Sequence, residues 1–148
     1  MEKNKKTIGI TCSTFDLLHT GHIIMLEECK KYCDYLICAL QNDPTIDRPE
    51  KNKPVQSIVE RYLQLDAVKY VDKIIPYSTE EELQTIFASL DLDVRIIGEE
   101  YKDTQFTAKD ICQKRGIKLE YNKRDHDFST SSLRQRIYNQ ESTKRFVK

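Results

Sequence analysis

The 148-residue chain has no tryptophan, only four glycines and four prolines, and no excess of either charge: 24 lysines and arginines face 24 aspartates and glutamates. Neutrality argues against a nucleic-acid binder, which carries a basic excess or a basic face. It leaves room for a local basic pocket that takes a small anion. No internal repeat, low-complexity tract or linker is present, so residues 1–148 read as a single domain, long enough for a genuine core. No apolar run approaches the roughly 20 residues that cross a bilayer. The basic start, Met1 to Lys6, leads into a short strand and not into a signal-peptide core, so a cytoplasmic protein is expected. The five cysteines are odd in number and lack paired C-x-x-C zinc spacing. Cys12 and Cys38 fall in predicted buried strands, which reads as reduced thiols packed like small hydrophobes; Cys29 and Cys33, four apart on a helix, could meet.

Short apolar runs at Ile8–Cys12, Tyr35–Leu40, Lys73–Pro76, Val94–Gly98 and Ile117–Tyr121 have the length and boundaries of strands in a buried parallel sheet. Helical spacing lies between them. Ile23, Leu26 and Cys29 share a face of a helix ending near Tyr32, and Ile58, Tyr62, Leu65 and Lys69 share another. Leu83, Ile86, Phe87 and Leu90 follow a Ser78-Thr79 cap and the acidic first turn Glu80-Glu81-Glu82. Ala108, Ile111, Cys112 and Arg115 precede Gly116, a C-cap, and a last helix runs from about Ser131 to Tyr138. Residues 143–148 read as a frayed tail. Alternation of this kind predicts an α/β, Rossmann-like three-layer fold with a mainly parallel five-stranded sheet. Ligands of such sheets bind beyond the carboxyl ends of the strands.

The segment Thr14-Phe15-Asp16-Leu17-Leu18-His19-Thr20-Gly21-His22 sits at the carboxyl end of the first strand and opens the first helix. Gly21 lets a ligand approach the backbone, the helix start offers free N–H groups, and His19 and His22 add donors. Two of the three histidines in the chain flank this one glycine, which favours a phosphate site over two unrelated surface rings. The stretch Asn42–Pro54, with three prolines and with Lys51 and Lys53 near its end, is long for a connection in a compact domain, as functional loops often are.

The run Ser13 to His22 closely resembles the signature of the cytidylyltransferase branch of the nucleotidyltransferase superfamily, whose members share an H-x-G-H motif on a Rossmann-like fold. The likeness is particularly to the bacterial glycerol-3-phosphate cytidylyltransferases and extends from Ile8 to about Ile137. It implies transfer of CMP from CTP to a phosphorylated small alcohol, best glycerol 3-phosphate, with Mg2+ arriving on the nucleotide and a homodimer as the assembly. Phosphocholine, phosphoethanolamine or a sugar phosphate as acceptor, ATP as donor, and a non-catalytic nucleotide-binding module are the alternatives.

The resemblance also assigns roles. His19 and His22 would face the α-phosphate, with Ser13, Thr14, Phe15 and Gly21 lining the nucleotide. Arg61, near the start of its helix, would hold a phosphate through its planar fork; otherwise it is a solvated partner of Glu60 or Asp66. One loop lysine, Lys53 or Lys51, would close over the triphosphate. Arg124 and the cluster Ser129, Thr130 and Ser131 would bind the outer phosphates, a role compatible with simple N-capping. After the fourth strand, Gly98 and Glu100 would seat the base, and Glu99 and Tyr101 the acceptor, unless this is only an acidic surface turn. Asp16 would orient Mg2+ or a substrate phosphate, or else cap the turn. Asp125 stands where many relatives have threonine, so no base-contacting role passes to it.

Overall fold

In the computed structural model, residues 5–144 are described. Five strands, β1 (Ile8–Ser13), β2 (Tyr35–Gln41), β3 (Lys73–Tyr77), β4 (Val94–Gly98) and β5 (Lys118–Asn122), form one sheet in the order β3-β2-β1-β4-β5. Every neighbouring pair is parallel, so the expected mainly parallel sheet is wholly parallel among the described residues. Five α-helices alternate with the strands: α1 (Thr20–Cys29), α2 (Ile58–Asp66), α3 (Glu80–Ser89), α4 (Lys109–Arg115) and α5 (Thr130–Lys144). The order reverses at β1, between β2 and β4, which opens a crevice at the carboxyl ends of β1 and β4.

The pleat of β2 shows why the sheet is covered on both faces. Leu36, Cys38 and Leu40 join Leu26, Cys29 and Leu65, from α1 and α2, on one side. Ile37 and Ala39 join Leu83, Phe87 and Cys112, from α3 and α4, on the other. An apolar residue is therefore needed at every interior position of the strand, and the sequence reads as a continuous run. Cys29, Cys38 and Cys112 are buried free thiols serving as core atoms.

Several boundaries differ from those expected. Helix α1 stops at Cys29 because Lys31 and Tyr32 donate to carbonyls only three residues back, tightening the end into turns. Helix α2 stops at Asp66 in the same way, with the Val68 N–H on the Leu65 carbonyl. Helix α5 is longer than expected and runs through Thr143 and Lys144; the remainder of the supposed tail, 145–148, lies outside the described residues. The stretch Asn42–Pro54 contains a short 3-10 turn, Pro44–Ile46, started by the Asp43 side chain. No helix among the described residues is long and apolar enough to cross a membrane.

Candidate active site

The turn from β1 into α1 is unusually constrained. Phe15 and Leu17 both stand in the left-handed region, at φ 49° and 51°, without being glycine. Asp16, between them, is buried, and its two carboxylate oxygens accept from the backbone N–H groups of Val55 and Gln56 at 2.9 and 3.0 Å. The Leu17 N–H donates to the Gln56 side-chain oxygen at 2.8 Å. The Phe15 ring is packed into the core, 1% exposed. Of the two roles open to Asp16, the turn-tying one is formed: both oxygens tie the turn to the chain ahead of α2, while the carboxylate also borders a neighbouring hollow, where Arg134 approaches it. The Phe15 side chain likewise serves as core.

Helix α1 then opens with a reciprocal cap made of two histidines. His19 is the N-cap: its Nδ1 accepts from the Gly21 N–H at 3.0 Å, while the His22 Nδ1 accepts from the His19 N–H at 3.2 Å. With each Nδ1 acting as acceptor, the proton of each neutral ring sits on Nε2. The His19 Nε2 then donates to the Thr130 hydroxyl at 3.1 Å. The rings lie 4.0 Å apart, centroid to centroid. Burial holds both rings below the ordinary imidazole value. For His19 the Arg124 charge and the neighbouring His126 add to that; for His22 the neighbouring His19 adds, Asp16 opposes, and the value falls to about 4. The pair is thus neutral at pH 7 and offers Nε2–H donors. Gly21 is required by space: a methyl group there would sit 2.8 Å from the His19 ring and 2.9 Å from the Phe128 carbonyl oxygen.

These rings border a cavity of about 360 Å3 that runs over the carboxyl ends of β1 and β4, lined also by Ser13, Gly21, Gly98, Glu100, Tyr101, Arg124 and Thr130. A methyl on Gly98 would collide with the Glu100 carboxylate, which folds back over that glycine. Arg124 donates to the Phe128 carbonyl at 2.8 Å and so braces the loop that starts α5. A second hollow, of about 330 Å3, shares Ser13 and Thr130 with the first and adds Thr14, Lys51, Ser131 and Arg134. Ser129 caps α5, accepting from the Ser132 N–H, and lines neither space.

Not every expected residue reaches the site. Arg61 is 2% exposed and borders neither hollow. Its guanidinium donates to the carbonyls of Gln56, Thr14, Gln41 and Asn42. The side chain is thus aimed neither at a hollow nor at solvent; Arg61 gathers four backbone carbonyls under the turn and positions it. Burial lowers its pKa, opposed by the carboxylates of Asp16 and Asp43. Lys53 is exposed and pairs with Asp43 at 3.9 Å, so of the two loop lysines Lys51 is the one that borders a cavity. Glu99 is exposed and lies outside both hollows, while Glu100 and Tyr101 line the first.

Three residues at the site went unread. Arg134, one turn past Thr130 on α5, approaches Asp16 at 3.9 Å and lines the second hollow; the four-residue spacing was the available signal. Arg95 is a charge in the middle of an apolar strand, and Glu80 opens α3; both line the first cavity. A charge inside a buried strand needs a reason, and that was the signal.

An all-parallel α/β sheet, a phosphate-suited helix start and a neutral H-x-G-H pair at the switch point together define a Rossmann-like nucleotidyltransferase fold. Residues 10–136 match the cytidylyltransferase-like family, and the chain belongs to it. It is 32% identical over 128 residues to glycerol-3-phosphate cytidylyltransferase of Bacillus subtilis, covering 86% of this chain and 95% of that protein. It is 33% identical over 138 residues to the bifunctional protein HldE of Campylobacter jejuni, covering 93% of this chain but 29% of that longer protein. Among solved structures, the lipopolysaccharide core biosynthesis protein of Thermoplasma volcanium aligns with a TM-score of 0.65 at 24% identity, covering 83% of this chain and all of that one, a likeness of fold.

Proposed function

We propose that the protein transfers CMP from CTP to a phosphorylated small alcohol, glycerol 3-phosphate first among candidates, releasing pyrophosphate. The observation that carries this is the neutral imidazole pair bordering the cavity, with the proton of each ring on Nε2: the His19 Nε2–H is shared with the Thr130 hydroxyl, and the His22 Nε2–H is the donor left for an α-phosphate. An oxygen of the acceptor's phosphate attacks the α-phosphorus, and the bond to pyrophosphate breaks in line. Charge grows on the phosphoryl oxygens in the transition state, and preorganised donors stabilise it more there than in the ground state. Neutral rings suit this work because they donate without a proton being lost or gained.

Thr130, Ser131, Lys51 and Arg134 around the second hollow suit the leaving pyrophosphate. Gly98 and Glu100 are the seat assigned to the base. Mg2+ enters as part of the nucleotide substrate. The pair Asp16 and Arg61 is assigned to holding the platform. Homodimerisation is supported by the apolar side chains that α2 and its approach leave exposed, Val55, Val59 and Leu63. A monomer in sedimentation at working concentration would refute it.

The test is pyrophosphate release with CTP or ATP against a panel of phosphorylated alcohols. Turnover with CTP and a polyol phosphate is expected. Turnover with ATP alone would move the protein to adenylyl transfer, and none with any pair would leave a binding module.

A further inference from the structure

The first cavity is also lined, from β4 and from the start of α3, by a charged group that nothing above uses. Arg95 is 5% exposed, yet its only hydrogen bond to a protein oxygen among the described residues runs from one guanidinium nitrogen to the Thr107 carbonyl. The guanidinium lies between two aromatic rings, 4.5 Å from the Phe87 centroid and 4.8 Å from that of Phe106. Its other polar neighbours are the thiols of Cys12 and Cys112, and the residue lines the cavity. Beside it stands Glu80. One oxygen of that carboxylate accepts from the Thr107 hydroxyl at 2.6 Å, and the other pairs with Arg48 at 3.3 Å. A buried cation with a single oxygen partner thus adjoins an acceptor carboxylate that is held in place from two sides.

We infer that Arg95, Glu80 and Thr107 read the hydroxyl groups of a polyhydroxylated acceptor, a polyol or sugar phosphate, whose phosphate lies at the histidine pair; this rests on the transfer reading above. A hydroxyl both donates and accepts, so a row of hydroxyls satisfies a guanidinium and a carboxylate together. The same geometry rejects the competing acceptors. At this end of the cavity a quaternary ammonium would meet the Arg95 cation, which already covers faces of Phe87 and Phe106. A primary ammonium would meet the same positive charge. A second phosphate would be attracted by Arg95 but repelled by Glu80. Specificity is set here by leaving wrong partners unpaired next to buried charge.

The experiment uses the full chain with two readouts. Glycerol 3-phosphate, a hexose 1-phosphate, phosphoethanolamine and phosphocholine are titrated calorimetrically without nucleotide, and pyrophosphate release is measured with CTP. Polyol phosphates should bind and phosphocholine should not. Arg95→Lys and Thr107→Val should each weaken polyol phosphate binding about tenfold or more, with the KM for CTP held within about twofold. Thr107→Val conserves shape and serves if the buried arginine variant does not fold. Binding that depends on Arg95 and Thr107 without pyrophosphate release would support the cluster while refuting the transfer reading. Turnover of polyol phosphates with variant acceptor constants equal to wild type would refute the cluster alone. Preference for phosphocholine, or no binding of any polyol phosphate, would overturn the inference.

Discussion

Replacing Arg61 by alanine distinguishes a phosphate ligand from a structural tie. A ligand facing solvent could be truncated with little effect on stability. In the structure, the side chain instead satisfies the carbonyls of residues 14, 41, 42 and 56 from a position that is 2% exposed. Truncation removes four charge-assisted bonds and leaves acceptors that water can reach only in part. At about 1 kcal/mol for each net bond lost, the cost is about 4 kcal/mol. That is a large share of the roughly 5–15 kcal/mol that holds a domain together. With a urea dependence of about 2 kcal/mol per molar, the unfolding midpoint should fall by about 2 M. Arg61→Lys keeps the charge but not the fork and should lose about half as much. Equilibrium urea unfolding followed by circular dichroism measures both, and nucleotide KM is measured on whatever remains folded. A midpoint unchanged from wild type, with the KM for CTP raised about tenfold, would refute the structural assignment and restore Arg61 as a phosphate ligand.

His19→Ala should lower kcat by about 100-fold or more, since a preorganised donor is lost, while stability falls only by about 1 kcal/mol for the missing N-cap; near-normal turnover in the pyrophosphate assay would count against the site. Gly21→Ala should leave α1 intact, because alanine favours helix, yet drive the His19 ring or the Phe128 carbonyl from place; a normal rate beside a normal circular dichroism spectrum would contradict the close contacts. Stability should depend on pH through His22. Its folded pKa, about 4, lies below the unfolded value near 6.5, so the unfolded state binds more protons between them. The contribution is complete above about pH 6.5 and is lost as pH falls through 4; it is at most about 3 kcal/mol and smaller after solvent screening of a half-buried ring. Urea midpoints from pH 7 to 4 should fall less steeply in His22→Asn, and parallel curves would be inconsistent with a neutral buried ring.

The strands were legible because burial on both faces demands an apolar residue at each interior position, a pattern that survives in sequence order. The histidine pair was legible because its partners are local: residues 19, 21 and 22 cap one another within a single turn. Arg61 was misread for the opposite reason. Whether an arginine near a helix start points outward or inward depends here on carbonyls contributed by residues up to 47 positions away. Ends of helices were placed up to six residues off, because fraying into 3-10 turns and the continuation of α5 depend on packing more than on periodicity. Arg95 stood in plain view within an apolar run, but its two aromatic neighbours come from α3 and from the loop before α4, which no spacing rule connects.

Why the β1–α1 turn tolerates two left-handed non-glycine residues follows from how many ties converge on it. Each such residue costs roughly 1–3 kcal/mol and persists only where the surroundings over-determine it. Asp16 takes two N–H groups from the segment before α2, Gln56 takes the Leu17 N–H, Arg61 takes the carbonyls of Thr14 and Gln56, and the Phe15 ring is locked in the core. Start of α1 and start of α2 are thereby fixed to each other before any ligand arrives. Thr130 adds a third element by accepting from His19, so the N-termini of α1 and α5 meet over the imidazoles. A donor pair held this way need not reorganise as charge develops on a phosphoryl group, and avoided reorganisation is the main source of electrostatic catalysis. Lys51, exposed on its loop, has no such restraint among the described residues beyond a turn through its own N–H. The proposed transfer therefore pairs rigid donors beside the α-phosphate with a less restrained loop lysine, and the backbone strain at Phe15 and Leu17 is the structural cost of the rigid half.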